Sequence, residues 1–135
     1  MRVLFLCTLN AVRSPMAEAL AKGYYPQHEF VSAGLYEGPP DYLAIEAMNE
    51  IGYDISGHTP KSFDSLKNKN FDLVICLTKE SAEEMKTLLQ KHNLQGEFWT
   101  DIPSPGMVRG NRIMQLFGYR EIRDKIRSKL RQKFD

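Results

Sequence analysis

At 135 residues, 42% hydrophobic and 26% charged, the chain has the length and apolar content of one globular domain with a substantial core, spanning residues 1–135. Lys and Arg number 18 against 17 Asp and Glu, a balance that gives no general reason to expect nucleic acid or membrane binding. Two cysteines, Cys7 and Cys76, are too few for a disulfide framework and lack metal-ligand spacing, so no metal or cofactor is expected.

The N-terminal apolar segment runs only from Val3 to Cys7 before polar loop residues begin, so neither a membrane span nor a secretory signal is expected and the cytoplasm is the default location. "RVLFLC" reads as a buried strand, followed by a turn and a helix from about Pro15 to Tyr25. "HEFVSAG" reads as a short second strand. A Gly/Pro-rich loop, "LYEGPPD", leads to a helix through "YLAIEAMNEIG", with Gly52 as its C-cap. "FDLVICL" is an uninterrupted, β-branched apolar run suited to an interior parallel strand. "TKESAEEMKTLLQKHN" reads as a helix starting near Thr78 or Ser81, and "GEFWT" as a fourth strand. "DIPSPGMVRGN" carries two prolines and two glycines, which makes it a loop. In the basic tail, Ile122, Ile126, Leu130 and Phe134 recur every four residues, the pattern of a helix docked along one face with a solvated basic surface. Strands alternating with helices imply an α/β fold, a parallel sheet covered on both faces. Ligands in such sheets bind beyond the carboxyl ends of the strands, which draws attention to Cys7 through Ser14.

Cys7 and Arg13 are separated by five residues, and Ser14, Pro15 and a helix follow. A tight loop entering a helix can turn successive backbone N–H groups inward, making an anion cradle of Thr8, Leu9, Asn10, Ala11, Val12, Arg13 and Ser14. Arg13 offers a planar fork for two phosphate oxygens, and Pro15 suits the first helical turn. The positive potential at the floor of the cradle favours the thiolate of Cys7, and the Ser14 hydroxyl is placed to donate to it. Such a site can attack a phosphomonoester, hold a phosphocysteine and release phosphate to water. The plain alternative is that Cys7 merely ends a buried strand.

"VLFLCTLNAVRSPMAEAL" resembles the N-terminal signature of the low-molecular-weight protein tyrosine phosphatases, and the similarity extends through "VSAG" and "EIGYDISGH" to "FDLVICL". The resemblance implies a three-layer α/β/α sandwich on a four-stranded parallel sheet in the order 2-1-3-4. It also makes Cys7 the nucleophile, Arg13 the phosphate-binding arginine, Ser14 the residue tuning the thiolate and Asn10 the residue holding the loop in shape. The partners it implies are a phosphotyrosine protein or another aryl phosphate, with an oxyanion such as phosphate or sulfate in the loop.

The chain departs from the family pattern in several places. Leu9 replaces the usual glycine, which suggests an altered backbone path, and Val12 replaces a common second cysteine, so no vicinal disulfide is expected. The family takes its general acid from an Asp-Pro pair after the fourth strand. Here Asp101 is the only carboxylate of that loop and is followed by Ile102, so it is a candidate acid on geometric grounds and reads equally as a turn or helix cap. Tyr36 and Trp99 are candidate aromatic walls at the pocket mouth, or else packing and surface residues. His28, His58 and His92 read as surface or capping residues. Two competing functions share the cradle. Thioredoxin-coupled arsenate reduction needs resolving cysteines in a mobile segment, whereas Cys76 falls inside an apolar run. A phosphate- or phosphopeptide-binding module with weak or no turnover needs no acid.

Overall fold

The computed structural model describes residues 1–107 and 109–135. Four parallel strands, β1 (Arg2–Cys7), β2 (Glu29–Gly34), β3 (Leu73–Cys76) and β4 (Gly96–Phe98), form one sheet in the order β2-β1-β3-β4, as the resemblance implied. Around it lie four α-helices: α1 (Arg13–Tyr24), α2 (Tyr42–Asn49), α3 (Ala82–His92) and α4 (Arg112–Phe134). Short 3-10 turns occur at Phe63–Ser65 and Pro105–Met107, the second inside the segment expected to be plain loop. No helix of the described residues is long and apolar enough to cross a membrane.

The layers follow from the alternation of side chains along β1. Val3, Phe5 and Cys7 face a core that includes Met16 and Leu20 of α1 and Met48 of α2, with Ile122, Ile126 and Leu130 of α4. Leu4 and Leu6 face the opposite core, with Phe63 and with Met85 and Leu89 of α3. The every-fourth-residue stripe of the tail does what its period predicts, since Ile122, Ile126 and Leu130 are fully buried. Each such side chain contributes about 1.5–3 kcal/mol by burial, which docks a helix whose other faces are basic.

Local chemistry sets the helix ends. Asp41 caps α2 by accepting from the N–H groups of Leu43 (3.0 Å) and Ala44 (3.2 Å), and Asn111 caps α4 by accepting from Met114 N–H (2.9 Å). Asn93 ends α3 in the left-handed conformation, φ 54°. Helix α2 stops at Asn49, earlier than expected, and Gly52 turns the chain just beyond it with φ 85°. Ser81 precedes α3 but makes no capping bond; its hydroxyl meets that of Thr8 at 3.0 Å, tying the loop after β1 to the start of α3. Because β2 and β3 flank β1 on opposite sides, chain order reverses at β1, and the loop from Thr8 to Val12 occupies the resulting crevice.

Candidate active site

Cys7 is the last residue of β1, 3% exposed, and its sulfur lies 2.9 Å from the Ser14 hydroxyl oxygen. Helix α1 begins at Arg13 with no side chain capping its first amides and no acidic residue in its first turn, so the positive end of its dipole is left for a ligand. Arg13 is 5% exposed; its Nη2 donates to Glu80 Oε1 at 2.7 Å, while Nη1 is buried without a hydrogen-bond partner. A buried guanidinium N–H left unpaired is costly, and an anion held by the same loop is the group that would relieve it.

The loop is held from behind by Asn10, fully buried with φ 56°. Its Nδ2 donates to the hydroxyls of Ser14 (2.8 Å) and Ser32 (3.0 Å), and its Oδ1 accepts from Lys61 N–H (3.0 Å) and faces His58 Nε2 at 3.0 Å. With Asn10 donating to Ser14, the Ser14 hydroxyl proton has the sulfur of Cys7 at 2.9 Å as its nearer acceptor, the Ala33 carbonyl standing at 3.4 Å, and Ser32 donates to Glu18. Gly34 completes the packing. A Cβ there would collide with the Tyr36 carbonyl and lie 2.8 Å from both Asn10 N and Thr8 O. The left-handed residue of the loop is thus Asn10 and not Leu9, which carries no positive φ, so the anticipated strain at Leu9 is absent. Leu9 is 45% exposed at the mouth.

In front of the sulfur lies a cleft of about 590 Å³. Its floor is Cys7, Thr8, Ala11, Val12 and Arg13; Asn10 and Ser14 lie beneath it. One wall is Pro39 to Leu43 with Tyr119 of α4, and the other is Glu80 with Ser104, Pro105 and Gly106. Burial alone would raise the pKa of Glu80, but hydrogen bonds led by that from Arg13 outweigh it and hold the carboxyl below its usual range. Asp41 accepts from Tyr119 Oη at 2.7 Å as well as capping α2. Burial first, and then that bond to Asp41, pushes the Tyr119 phenol far above its ordinary range.

A model of the family described as "Low molecular weight phosphotyrosine protein phosphatase" matches residues 2–135. The chain belongs to this family. An arsenate reductase of Bacillus subtilis (strain 168) is 32% identical to this family member over 131 residues, covering 96% of this chain and 92% of that one. The solved structure described as an arsenate reductase in the phosphate binding state superposes with a TM-score of 0.75 at 25% identity, covering 98% and 95% of the two chains. A YwlE arginine phosphatase from Geobacillus stearothermophilus superposes with a TM-score of 0.78 at 23% identity, covering 98% and 89%, a likeness of fold alone. The family therefore supports cysteine-based chemistry of the phosphatase or reductase type for this chain.

Against that family pattern, three expected residues lie elsewhere. Asp101 does not line the cleft; its carboxylate, half-exposed, sits 3.3 Å from Lys125 Nζ and 3.2 Å from Lys129 Nζ. Burial would raise its pKa, but the hydrogen bonds from Lys129 and Lys125 prevail and keep it below the usual carboxylate range. Trp99 is 4% exposed and packs near Phe5, its indole N–H donating to Glu97 at 2.9 Å, so it is a core residue and not a pocket wall. Tyr36 is 55% exposed on the α3 side, its hydroxyl donating to Glu84 at 2.7 Å. The aromatic residues that do line the cleft are Tyr42 and Tyr119. Tyr119 lies one turn before Ile122 on the buried stripe of α4, and Glu80 lies just beyond the carboxyl end of β3, so helical period and strand topology each carried a signal for them. His58, expected at the surface, reaches Asn10 instead. Among the described residues no group of three or more His, Cys, Asp or Glu could hold a metal ion.

Proposed function

We propose that this protein is a cytoplasmic phosphomonoester hydrolase that works through a phosphocysteine on Cys7, with aryl phosphates such as phosphotyrosine as its substrate class. The observation that carries the reading is the buried constellation of Cys7, Ser14 and Arg13. A sulfur 2.9 Å from a hydroxyl donor shares a cleft with a guanidinium whose Nη1 has no partner. In the first step the sulfur–phosphorus bond forms as the phosphorus–oxygen bond to the leaving group breaks, and the three equatorial oxygens remain on the loop and Arg13. In the second, water attacks phosphorus, the thiolate departs with Ser14 donating to it, and the protons of water remain with phosphate and solvent. The phosphate-binding state described for the related arsenate reductase supports an oxyanion in this loop. Residues 1–135 act as one domain in this reading.

Names of relatives also raise arsenate reduction. Cys76 speaks against the thiol relay that this chemistry uses, because it is 1% exposed, lies in the core on the far side of the sheet from Cys7, and burial pushes its thiol up to about 12. The position of Asp101 favours a second reading, an anion-binding module with little turnover. Hydrolysis of p-nitrophenyl phosphate by wild type and Cys7→Ser decides between them, together with mass spectrometry of acid-quenched protein. Release that depends on Cys7, with a phosphoryl adduct on that residue, supports the enzyme. Equal rates for the two proteins, with phosphate still protecting wild type from unfolding, would leave the binding module.

A further inference from the structure

The cleft holds four side chains other than Cys7 and Arg13 that carry a dissociable proton or its conjugate base: Asp41, Tyr42, Glu80 and Tyr119. None is set up to give a proton to a departing oxygen. Asp41 spends Oδ1 on the amides of Leu43 and Ala44 and Oδ2 on the Tyr119 hydroxyl. Glu80 is ion-paired with Arg13, and the phenol proton of Tyr119 is committed to Asp41. Tyr42 is 78% exposed at the rim. The β4–α4 loop sends Ser104, Pro105 and Gly106 into the cleft wall and keeps its carboxylate, Asp101, on the lysines of α4. The hydroxyl this loop places in the wall, that of Ser104, accepts from Gly106 N–H at 3.3 Å and bonds to the Glu80 carboxylate, and an alcohol at neutral pH can donate a hydrogen bond but cannot give up a proton.

We infer that this site, acting as the phosphatase proposed above, favours phosphoryl groups on acidic oxygens, such as phosphates of electron-poor phenols and acyl phosphates, because the wall that carries Ser104 holds no free carboxyl to protonate the leaving group. The leaving oxygen departs as an anion when the sulfur–phosphorus bond forms, and it collects its proton from water afterwards. The rate of this step then follows the basicity of the leaving group, on the order of tenfold for each unit of its pKa, since the departing atom carries its charge unshared. An unmodified tyrosyl leaving group falls at the slow end of this series. With no carboxylate to take a proton from the attacking water, phosphocysteine also accumulates when the leaving group is good, and product release shows a burst stoichiometric with Cys7.

The test is a series of substituted phenyl phosphates, spanning nitrophenyl to unsubstituted phenyl, with wild type, Cys7→Ser, Ser104→Asp, Ser104→Asn and Glu80→Gln. The expected result is Cys7-dependent turnover with a steep dependence on leaving-group acidity in wild type and Ser104→Asn. Ser104→Asp should flatten it, raising the phenyl phosphate rate by at least about tenfold of the 10²–10⁴ that a placed acid contributes. A shallow dependence in wild type, or a selective loss of the phenyl phosphate rate in Glu80→Gln, overturns the inference and leaves the phosphatase reading intact. An unchanged dependence in Ser104→Asp overturns the assignment of Ser104. The phosphatase reading itself fails in a different way, through the absence of Cys7-dependent release from even the nitrophenyl ester.

Discussion

Replacing Asn10 with alanine isolates what holds the cradle. Asn10 is fully buried in the left-handed region and makes hydrogen bonds to Ser14, Ser32, Lys61 and His58. His58 keeps the Asn10 carbonyl at 3.0 Å, and the two serines keep other partners, so the principal orphan is the Lys61 N–H. An unsatisfied buried amide costs about 1–3 kcal/mol, the lost Nδ2 bonds about 1 kcal/mol together, and a left-handed alanine about 1 kcal/mol more. The total is about 4 kcal/mol, which lowers Tm by on the order of 10 °C for a chain of this size. Asn10→Gly loses the same bonds but not the φ term, so it should be more stable than Asn10→Ala by about 1 kcal/mol. Urea unfolding of the three proteins reads the stabilities, and nitrophenyl phosphate turnover should fall on the order of a hundredfold in both variants as the loop shifts. Asn10→Ala within about 0.5 kcal/mol of wild type with turnover undiminished would refute the account, and a glycine variant less stable than the alanine variant would refute its conformational part.

Gly34→Ala forces a Cβ against the Tyr36 carbonyl and to 2.8 Å from Asn10 N, so it should destabilise the protein by about 2 kcal/mol or more in urea and cut turnover with it. Thiol titration should find Cys76 unreactive in the native protein and reactive in denaturant, because its thiol is buried and pushed up to about 12. Hydrogen bonds from Arg120 chiefly, and also from Arg123, draw Glu50 down from 4.5 to about 2 against the opposing effect of burial. A carboxyl whose pKa is lower folded than unfolded contributes stability above its unfolded value and loses it as pH falls toward the folded one. Glu50→Gln should therefore cost about 1 kcal/mol at pH 7, after discounting for solvent screening, and the deficit should shrink between pH 4.5 and pH 2 in urea titrations. Phosphate should raise the Tm of wild type and not of Arg13→Ala, because Arg13 Nη1 gains its partner only when the anion is bound.

The juxtaposition of Cys7, Arg13 and Ser14 was legible because these residues belong to one short run of chain. Cys7 to Ser14 fold as one strand-to-helix turn, so spacing alone brings sulfur, hydroxyl and guanidinium together. The docked stripe on α4 was legible because it depends on a local period, whereas the sheet order, which no local period encodes, came from the family resemblance. The cleft walls were not, since they join residues that only tertiary packing makes neighbours. Glu80 meets Arg13 from beyond β3, and Tyr119 meets Asp41 across the gap between α4 and α2. Asn10 was legible as a loop-holding residue, but its acceptors and donors at His58 and Lys61 sit in a segment without regular structure, where no period advertises them.

The proton-handling half turns on a different kind of constraint. Lys125 and Lys129 stand one turn apart on α4 and share Asp101, yet exposed ion pairs of this kind are each worth no more than about 1 kcal/mol and would not by themselves keep a carboxylate from a useful position. The firmer anchor is Ile102, 4% exposed in the same core as Phe5, Trp99 and Ile122. Carrying Asp101 into the cleft would draw its neighbour out of that core, at a cost of about 1.5–3 kcal/mol for the isoleucine alone. Pro103 then restricts the chain direction, and Ser104, Pro105 and Gly106 are the residues of this loop that reach the cleft wall. A loop pinned by Ile102 in this way leaves Ser104 in the cleft wall and Asp101 on the lysines of α4. For that reason the inferred leaving-group preference depends on the identity of residue 104, and not on the release of Asp101.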